Sequence, residues 1–110
     1  MKALMLSFGL LFASFSATAA TGFCEKYTPN ATYIQALQVV AGNMQYGFDE
    51  LCQLPRLADI YVTKRVFVDP PKNEPVPHVW VTLHYNEYSC QYFVREADMK
   101  VTRSNCYNTF

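Results

Sequence analysis

The sequence predicts an α+β fold in two layers, with one N-terminal helix packed on an antiparallel meander of three strands, or of four if the last segment also pairs. Apolar residues recur at steps of three and four between residues 33 and 51, which is the period of an α-helix. From residue 58 the period changes to two, and β-branched and aromatic residues dominate. Four cysteines indicate that two disulfides stabilise a domain too small to bury a large core.

The composition of the 110 residues excludes several classes of protein. Hydrophobic residues make up 51% of the chain and charged residues 16%, which is far more apolar material than an intrinsically disordered chain carries. Nine basic residues balance nine acidic ones, and the basic residues form no run, which argues against binding to nucleic acid. A chain of this length has room for one small domain.

Residues 1–20 have the pattern of a secretory signal peptide. Lys2 supplies a positive charge, residues 3–15 are almost wholly apolar, and small residues follow up to Ala20. The sequence therefore predicts a leader over residues 1–20 and one exported domain over residues 21–110, periplasmic in a bacterium and otherwise secreted. No later apolar run has the roughly 20 residues that a bilayer-spanning helix needs, so we expect no membrane insertion after cleavage.

The predicted helix has start signals at its N-terminal end and a stop signal at its C-terminal end. Pro29 suits the first helical position, and Thr32 offers a second start, because a glutamine follows it at the spacing of a capping box. Glycines weaken the helix by up to about 1 kcal/mol each, so a kink or break is expected near Gly42–Asn43. Leu54–Pro55 ends the helix, and residues 21–28 are expected to form a tail before it.

The segments with a period of two predict strands joined by short connections. The predicted order is strand 60–68, loop 69–77, strand 79–85, turn 86–87, strand 88–95, turn 96–98, strand 99–103 and tail 104–110. A two-residue turn places Tyr85 opposite Tyr88. Pairing Val68 with Val79 then gathers the apolar residues on the side that meets the helix, with Lys64 as the misfit. The prolines of the loop cannot donate to a ladder, so pairing is expected to stop there.

The four cysteines predict two structural disulfides, which exported domains retain. Their spacing contains no C-x-x-C pair, so neither a metal site nor a redox motif is expected. Cys52 ends the predicted helix and Cys90 points towards it from the sheet, which favours the pairs Cys52–Cys90 and Cys24–Cys106. The other two connectivities remain open, since spacing alone does not select one.

The opposite side of the predicted sheet collects residues that are unusual for a solvent-exposed face. Three large aromatics stand side by side across three strands, where Thr, Lys and Glu are typical. With their polar rim they predict a protein-binding surface made of Arg65, Phe67, Trp80, Thr82, His84, Gln91, Phe93 and Arg95. Such a surface predicts that alanine at both Trp80 and Phe93 leaves the melting temperature within a few degrees. Two alternatives stay open: the aromatics stabilise the sheet by packing across strands, or the 104–110 tail covers them.

The sequence contains no catalytic motif, so we expect a protein that acts by binding, without enzymatic activity or a cofactor. His78 and His84 share a strand face but are six residues apart, which is roughly 20 Å and too far to serve one phosphodiester. The expected role is that of an inhibitor or immunity-type protein, a monomer or dimer that caps a toxin or an envelope enzyme. A structural or accessory subunit of an envelope or secretion assembly is the second interpretation. A small secreted hydrolase of the ribonuclease type is the third.

Overall fold

Helices followed by a four-stranded antiparallel sheet make up residues 21–108, the part of the chain that the computed structural model describes, the side chain of Asp69 excepted. The helical elements are a 3-10 helix Gly22–Tyr27, α1 Ala31–Asn43 and α2 Phe48–Leu51. The strands, adjacent in the order of the sequence, are β1 Leu57–Asp69, β2 Glu74–Tyr85, β3 Tyr88–Arg95 and β4 Lys100–Asn108. The predicted α+β fold is thus confirmed: the sheet has four strands, the alternative that the sequence left open, and within these residues several helical elements stand where one helix was predicted. The predicted leader over residues 1–20 lies outside the described residues.

α1 begins at Ala31, two residues after the predicted Pro29, and Asn30 caps its N-terminus. The Asn30 side-chain oxygen accepts a hydrogen bond from the Tyr33 backbone N–H at 3.1 Å, which satisfies a donor that has no partner within the helix. The helix stops at Asn43, at the break that the glycines predict, and Gln45 takes a positive φ of 66° before α2 begins. No helix within residues 21–108 is long and apolar enough to cross a membrane.

The predicted tail 21–28 instead folds as the 3-10 helix and packs against the end of α2. The Phe23 backbone N–H donates to the Cys52 carbonyl oxygen at 2.9 Å, and Cys24 is fully buried. Gly22 makes this approach possible, because its φ is +58° and a Cβ there would collide with the Cys52 carbonyl oxygen.

The observed disulfides are Cys24–Cys52 and Cys90–Cys106, so the favoured pairs Cys52–Cys90 and Cys24–Cys106 were wrong. Cys24 reaches Cys52 because residues 22–27 fold back as a helix and do not run on towards the C-terminal segment. Cys106 reaches Cys90 because β4 extends through residues 104–108, where a tail was predicted. Cys90 and Cys106 are therefore direct neighbours across β3 and β4, with their Cα atoms 4.0 Å apart.

The β2–β3 hairpin has the predicted register, with Tyr85 and Tyr88 on either side of a two-residue turn and Leu83 facing Cys90. The pairing of β1 with β2 differs from the prediction by four residues, because Lys64 and not Val68 faces Val79. Since side chains alternate with a period of two, this even shift leaves every β1 residue on its predicted side of the sheet.

The longer β1–β2 pairing extends into the predicted 69–77 loop, where only Pro70–Asn73 form the turn. The Pro77 carbonyl accepts a hydrogen bond from the Glu96 backbone N–H at 3.0 Å, so it points away from β1. The nitrogen and carbonyl of one residue in an antiparallel strand point to the same side. The nitrogens of Pro77 and Pro75 therefore point away from β1, where no N–H is needed for the β1–β2 ladder. The prolines consequently do not stop the pairing.

The hydrophobic core lies between α1 and the central part of the sheet. Its fully buried members include Leu37 and Val40 from α1 and Val79, Val81 and Leu83 from β2. α1 packs on β2, β3 and β4, whereas the helical element that meets β1 is the 3-10 helix, whose hydrogen bonds reach only the first half of that strand. The far end of β1 consequently leaves Val66 and Val68 exposed by 54% and 56%, although the alternation placed them on the side that meets the helix.

The free edge of β1 is closed in part by one side chain, that of Tyr27. Its hydroxyl donates to the Ile60 carbonyl at 3.1 Å and accepts from the Val62 backbone N–H at 2.9 Å, as a neighbouring strand would. Exposed strand edges invite pairing with other chains, so this contact protects the edge as well as anchoring the 3-10 helix to the sheet.

The Tyr27→Phe variant is expected to lose about 1–2 kcal/mol of stability, because two backbone groups lose their partner. Urea denaturation measures the loss, and amide hydrogen exchange at Val62 should become faster. Tyr33→Phe is the matched control, because the Tyr33 ring packs on Tyr27 at 6.0 Å while no hydrogen bond of its hydroxyl occurs within the described residues. Equal losses in both variants would contradict the assigned role of the Tyr27 hydroxyl.

Candidate partner-binding face

The outer face is defined here as the side of the sheet opposite α1. The strand register brings all eight residues of the predicted surface onto it: Arg65, Phe67, Trp80, Thr82, His84, Gln91, Phe93 and Arg95. Their common placement follows from the period of two and from the even shift between β1 and β2. Placement on one face does not by itself show that these residues bind a partner.

Four rings form an aromatic cluster on this face: Phe67, His78, Trp80 and Phe93. Phe93 lies at its centre, stacked on Trp80 with ring centroids 5.5 Å apart and edge-on to Phe67 at 5.1 Å. The His78 ring meets Phe67 edge-on at 4.8 Å. Such pairs stabilise a sheet by about 0.5–1.5 kcal/mol beyond the area they bury. Phe93 is only 9% exposed, whereas Phe67 and Trp80 are half-buried and keep part of their surface in solvent.

Two guanidinium groups lie over the aromatic cluster. Arg65 stands 5.5 Å from the Trp80 ring centroid and 5.4 Å from that of Phe67, and Arg103 stands 4.1 Å from the Phe67 centroid. All three distances are within the range of a cation–π interaction. The cluster therefore has apolar rings in its centre and positive charge above them.

Arg103 was not among the predicted site residues, because strict alternation from Lys100 turns it towards the helix. The pairing of β3 with β4 is irregular at this point: Val94 faces Val101, but the preceding Phe93 faces Arg103. Thr102 is thus one extra residue in β4, a β-bulge that moves Arg103 to the outer face. Bulges leave no dependable mark in a single sequence.

A chain of polar side chains crosses three strands beside the rings. The Trp80 indole N–H donates to the Gln91 side-chain oxygen at 3.1 Å, and the Gln91 amide donates to the Asn105 side-chain oxygen at 2.7 Å. His78, which is buried, lies between the Val76 carbonyl at 2.8 Å and the Thr102 hydroxyl at 2.9 Å. These bonds fix the orientation of the indole and imidazole rings within the cluster.

Three of the predicted residues are less available than the sequence implies. Thr82 is only 4% exposed, and His84 is engaged with the Ser89 hydroxyl at 2.8 Å. Arg95 makes a two-fold contact with Asp98, at 2.9 Å from Nε and 2.7 Å from the terminal nitrogen, which lowers the pKa of the Asp98 carboxyl. The available part of the face is therefore centred on Arg65, Phe67 and Trp80.

Both alternatives to a binding surface can be compared with the structure. Residues 104–108 pair with β3 as part of β4, so they do not fold over the aromatic cluster as a covering tail. Packing across strands does account for Phe93, which is nearly buried within the face. The expectation that alanine at both Trp80 and Phe93 would leave the melting temperature almost unchanged therefore does not suit Phe93. Trp80, which is more exposed, remains suitable as a test of binding.

A row of Asp59, His84 and Ser89 also crosses the outer face and has the residue types of a hydrolase triad. The Ser89 hydroxyl is fully buried, which withholds it from a substrate. The Asp59 carboxylate is directed to the Lys26 ammonium at 3.0 Å and to the Ile60 backbone N–H at 2.8 Å. Among residues 21–108, no three His, Cys, Asp or Glu side chains are grouped as a metal site needs. Only His84 and Ser89 are joined by a hydrogen bond among these three residues, so the row lacks the Asp–His contact of a triad.

A shallow depression lies at the β2–β3 turn, lined by Arg56, Tyr85, Asn86, Glu87 and Tyr88. The two tyrosine rings are stacked, with centroids 4.6 Å apart. Burial, reinforced by the neighbouring Tyr88, raises the pKa of Tyr85 to about 12. The Tyr85 ring, stacked on Tyr88, forms an aromatic wall of the depression.

Comparison with known proteins returns no relative for this chain. No protein-family model matches it, no curated protein matches it, and no solved structure matches it. Function must therefore be inferred from the site, and the face around Phe67 and Trp80 is the strongest candidate within residues 21–108.

Proposed function

We propose that the protein is an exported binding protein that engages another protein through the outer face of its sheet. The proposal is carried by one observation: Phe67 and Trp80 keep exposed ring surface beneath the guanidinium groups of Arg65 and Arg103. Trp, Tyr and Arg are the residue types that dominate binding energy at protein interfaces, and they do so where apolar centres are ringed by polar groups.

The rigidity of the face supports binding in preference to a flexible or catalytic role. The cluster is built on strands, not on loops, and the Trp80 indole and His78 ring are held by hydrogen bonds. A surface that is ordered before association loses little conformational entropy when a partner binds. The same hydrogen bonds also satisfy the polar atoms that association would bury.

Export is the second part of the proposal. The two disulfides are consistent with an extracellular or secreted protein, because such bonds persist in oxidising compartments. The signal-peptide pattern over residues 1–20 supports the same conclusion from the sequence. In a bacterium the location would be the periplasm.

The specific role that we propose is that of an inhibitor or immunity-type protein, which caps a toxin or an envelope enzyme. A single small domain with a rigid face and two disulfides suits tight association with one partner, as a monomer or dimer. The argument rests on size, compartment and surface chemistry, and it requires no catalytic group in this chain.

An accessory subunit of an envelope or secretion assembly is the second candidate, and β4 is the feature that favours it. β4 is the last strand of the sheet, so within residues 21–108 one of its edges has no neighbouring strand. Such an edge can accept a strand from another subunit. Lys100 and Arg103 act against edge pairing, because charged side chains are a common protection of exposed strands. We therefore rank the inhibitor first.

Trp80→Ala is expected to abolish association with the partner while the fold persists. The test is affinity capture from the envelope fraction of the source cells, using the oxidised wild-type protein and the variant as baits. Tyr61→Ala is the matched control, because Tyr61 is also an aromatic residue of the outer face, 53% exposed, but lies outside the cluster.

One stoichiometric partner that is retained by wild type and Tyr61→Ala and lost by Trp80→Ala supports the proposal. Retention of the same partner by Trp80→Ala would place binding elsewhere on the molecule. Inhibition of the captured partner's activity by added wild-type protein distinguishes an inhibitor from an assembly subunit.

A further inference from the structure

We infer that the partner is an acidic protein surface, and that its carboxylates pair with Arg65 and Arg103. The inference rests on the proposed binding function, which it makes more specific. Two positive charges, those of Arg65 and Arg103, lie over one ring, that of Phe67. Both guanidinium carbons lie within 5.4 Å of the Phe67 centroid, so they are at most about 10 Å apart. That separation is close to the screening length at physiological ionic strength, about 8 Å, so an anion between the two groups interacts with both.

The hydrogen-bonding groups of these arginines have no partner among the described side chains. A guanidinium carries five N–H donors in a rigid planar fork that fits a carboxylate. Neither Arg65 nor Arg103 forms a side-chain hydrogen bond or an ion pair with any described residue, whose ion pairs are Lys26–Asp59 and Arg95–Asp98. Glu74, two positions along β2 from Val76, forms no ion pair with either arginine.

Among the described side chains, no acidic group forms an ion pair with Arg65 or Arg103. The chain as a whole is neutral, with nine basic and nine acidic residues. Asp59 and Arg95 on the outer face are each neutralised by a partner, so neither offsets the two arginines. A neutral protein that concentrates unpaired positive charge over an apolar cluster is complementary to a negative surface with an apolar side chain beside it.

The same geometry disfavours nucleic acid as the occupant. Single-stranded nucleic acid binds by stacking its bases on exposed aromatic faces. The Trp80 ring is already stacked on Phe93 and contacted by the Arg65 guanidinium, and Phe93 is nearly buried. Both rings of this stacked pair are therefore already engaged within the protein, which leaves less ring surface for a base to stack on. A carboxylate beside an apolar side chain fits this arrangement.

The test uses the single tryptophan of the chain, Trp80, as a fluorescent reporter at the site. The probes are two synthetic peptides, acetyl-Glu-Phe-Asp-Phe-Glu-amide and its uncharged counterpart acetyl-Gln-Phe-Asn-Phe-Gln-amide. The acidic peptide is expected to change Trp80 emission saturably, at least about tenfold more tightly than the neutral peptide. Its apparent Kd should rise about tenfold between 20 mM and 300 mM NaCl, because the contact is between charges.

The variants separate charge at this site from charge in general. R65Q/R103Q is expected to lose the preference for the acidic peptide, and R65K/R103K to keep part of it, because lysine retains charge without the planar fork. K64Q/K72Q is the matched control, since it removes the same net charge at exposed positions outside the cluster. Circular dichroism and melting curves verify that each variant is folded.

Four results would overturn the inference: no binding of the acidic peptide, equal binding of both peptides, equal loss in K64Q/K72Q, or tighter binding of a short oligothymidylate. These results are distinguishable from failure of the proposed function. If R65Q/R103Q still captures the partner that Trp80→Ala loses, and added salt leaves the capture unchanged, the binding function stands and the acidic partner does not.

Discussion

Alanine at both Cys24 and Cys52 is expected to lower the free energy of unfolding by about 5 kcal/mol, the largest effect we expect of any pair of substitutions in this chain. The bond closes a segment with a sequence separation of 28 residues, which corresponds to about 3.5 kcal/mol of lost entropy in the unfolded chain. Both cysteines are fully buried, so removal of the sulfurs also leaves a small cavity. Domains of this size are stable by about 5–15 kcal/mol, so the variant should be close to unfolding.

The second disulfide supplies the control for this experiment. Alanine at Cys90 and Cys106 opens a separation of 16 residues, about 3 kcal/mol, and Cys106 is exposed, so little packing is lost with it. Urea denaturation followed by circular dichroism should therefore rank this variant between wild type and the Cys24→Ala/Cys52→Ala variant. The reverse order would show that the 3-10 helix contributes less to the fold than its contacts with Cys52 imply.

Phe93→Ala is expected to cost about 3 kcal/mol, which lowers the melting temperature by at least about 12 °C in a domain of this size. The reason is its central position: Phe93 contacts both Trp80 and Phe67 and is only 9% exposed. Truncation would leave a gap that the half-buried neighbours can fill only in part. Differential scanning calorimetry on the purified protein measures the shift.

Two further variants serve as comparisons for the loss of stability in Phe93→Ala. Trp80→Ala removes a more exposed ring and should cost clearly less stability than Phe93→Ala, while Tyr61→Ala should stay near wild type. If Phe93→Ala melted within a few degrees of wild type, the aromatic cluster would be a surface throughout, and Phe93 would join Trp80 as a contact residue. The expected order instead divides the cluster into a structural centre and an exposed margin.

The parts of the fold that the sequence predicts are those that local pattern decides. The two-residue turn after Tyr85 fixes the β2–β3 register, and the apolar alternation fixes which side of each strand meets the helix. These two features are enough to place the eight residues of the predicted surface on one face. The break after α1 also follows from local composition, because two glycines weaken the helix there.

The parts that the sequence does not predict depend on contacts between distant segments. The 3-10 helix exists because residues 22–24 pack on Cys52, which also decides the disulfide pairing. The prolines at 75 and 77 look like strand breakers, and only the direction of the Pro77 carbonyl shows why they are tolerated. Arg103 escaped prediction for a similar reason, since the bulge at Thr102 is visible only once β3 and β4 are paired.

The bulge at Thr102 ties the covalent cross-link to the charged surface. If β4 kept the same residues but paired with β3 without the bulge, Thr102 would face Phe93, Arg103 would turn towards the helix and Cys106 would lie opposite Ser89. One local irregularity thus sets both the side of the sheet on which the Arg103 cation lies and the alignment of Cys106 with Cys90. Because the Cys90–Cys106 bond holds this register covalently, it also holds the bulge that presents Arg103 on the outer face.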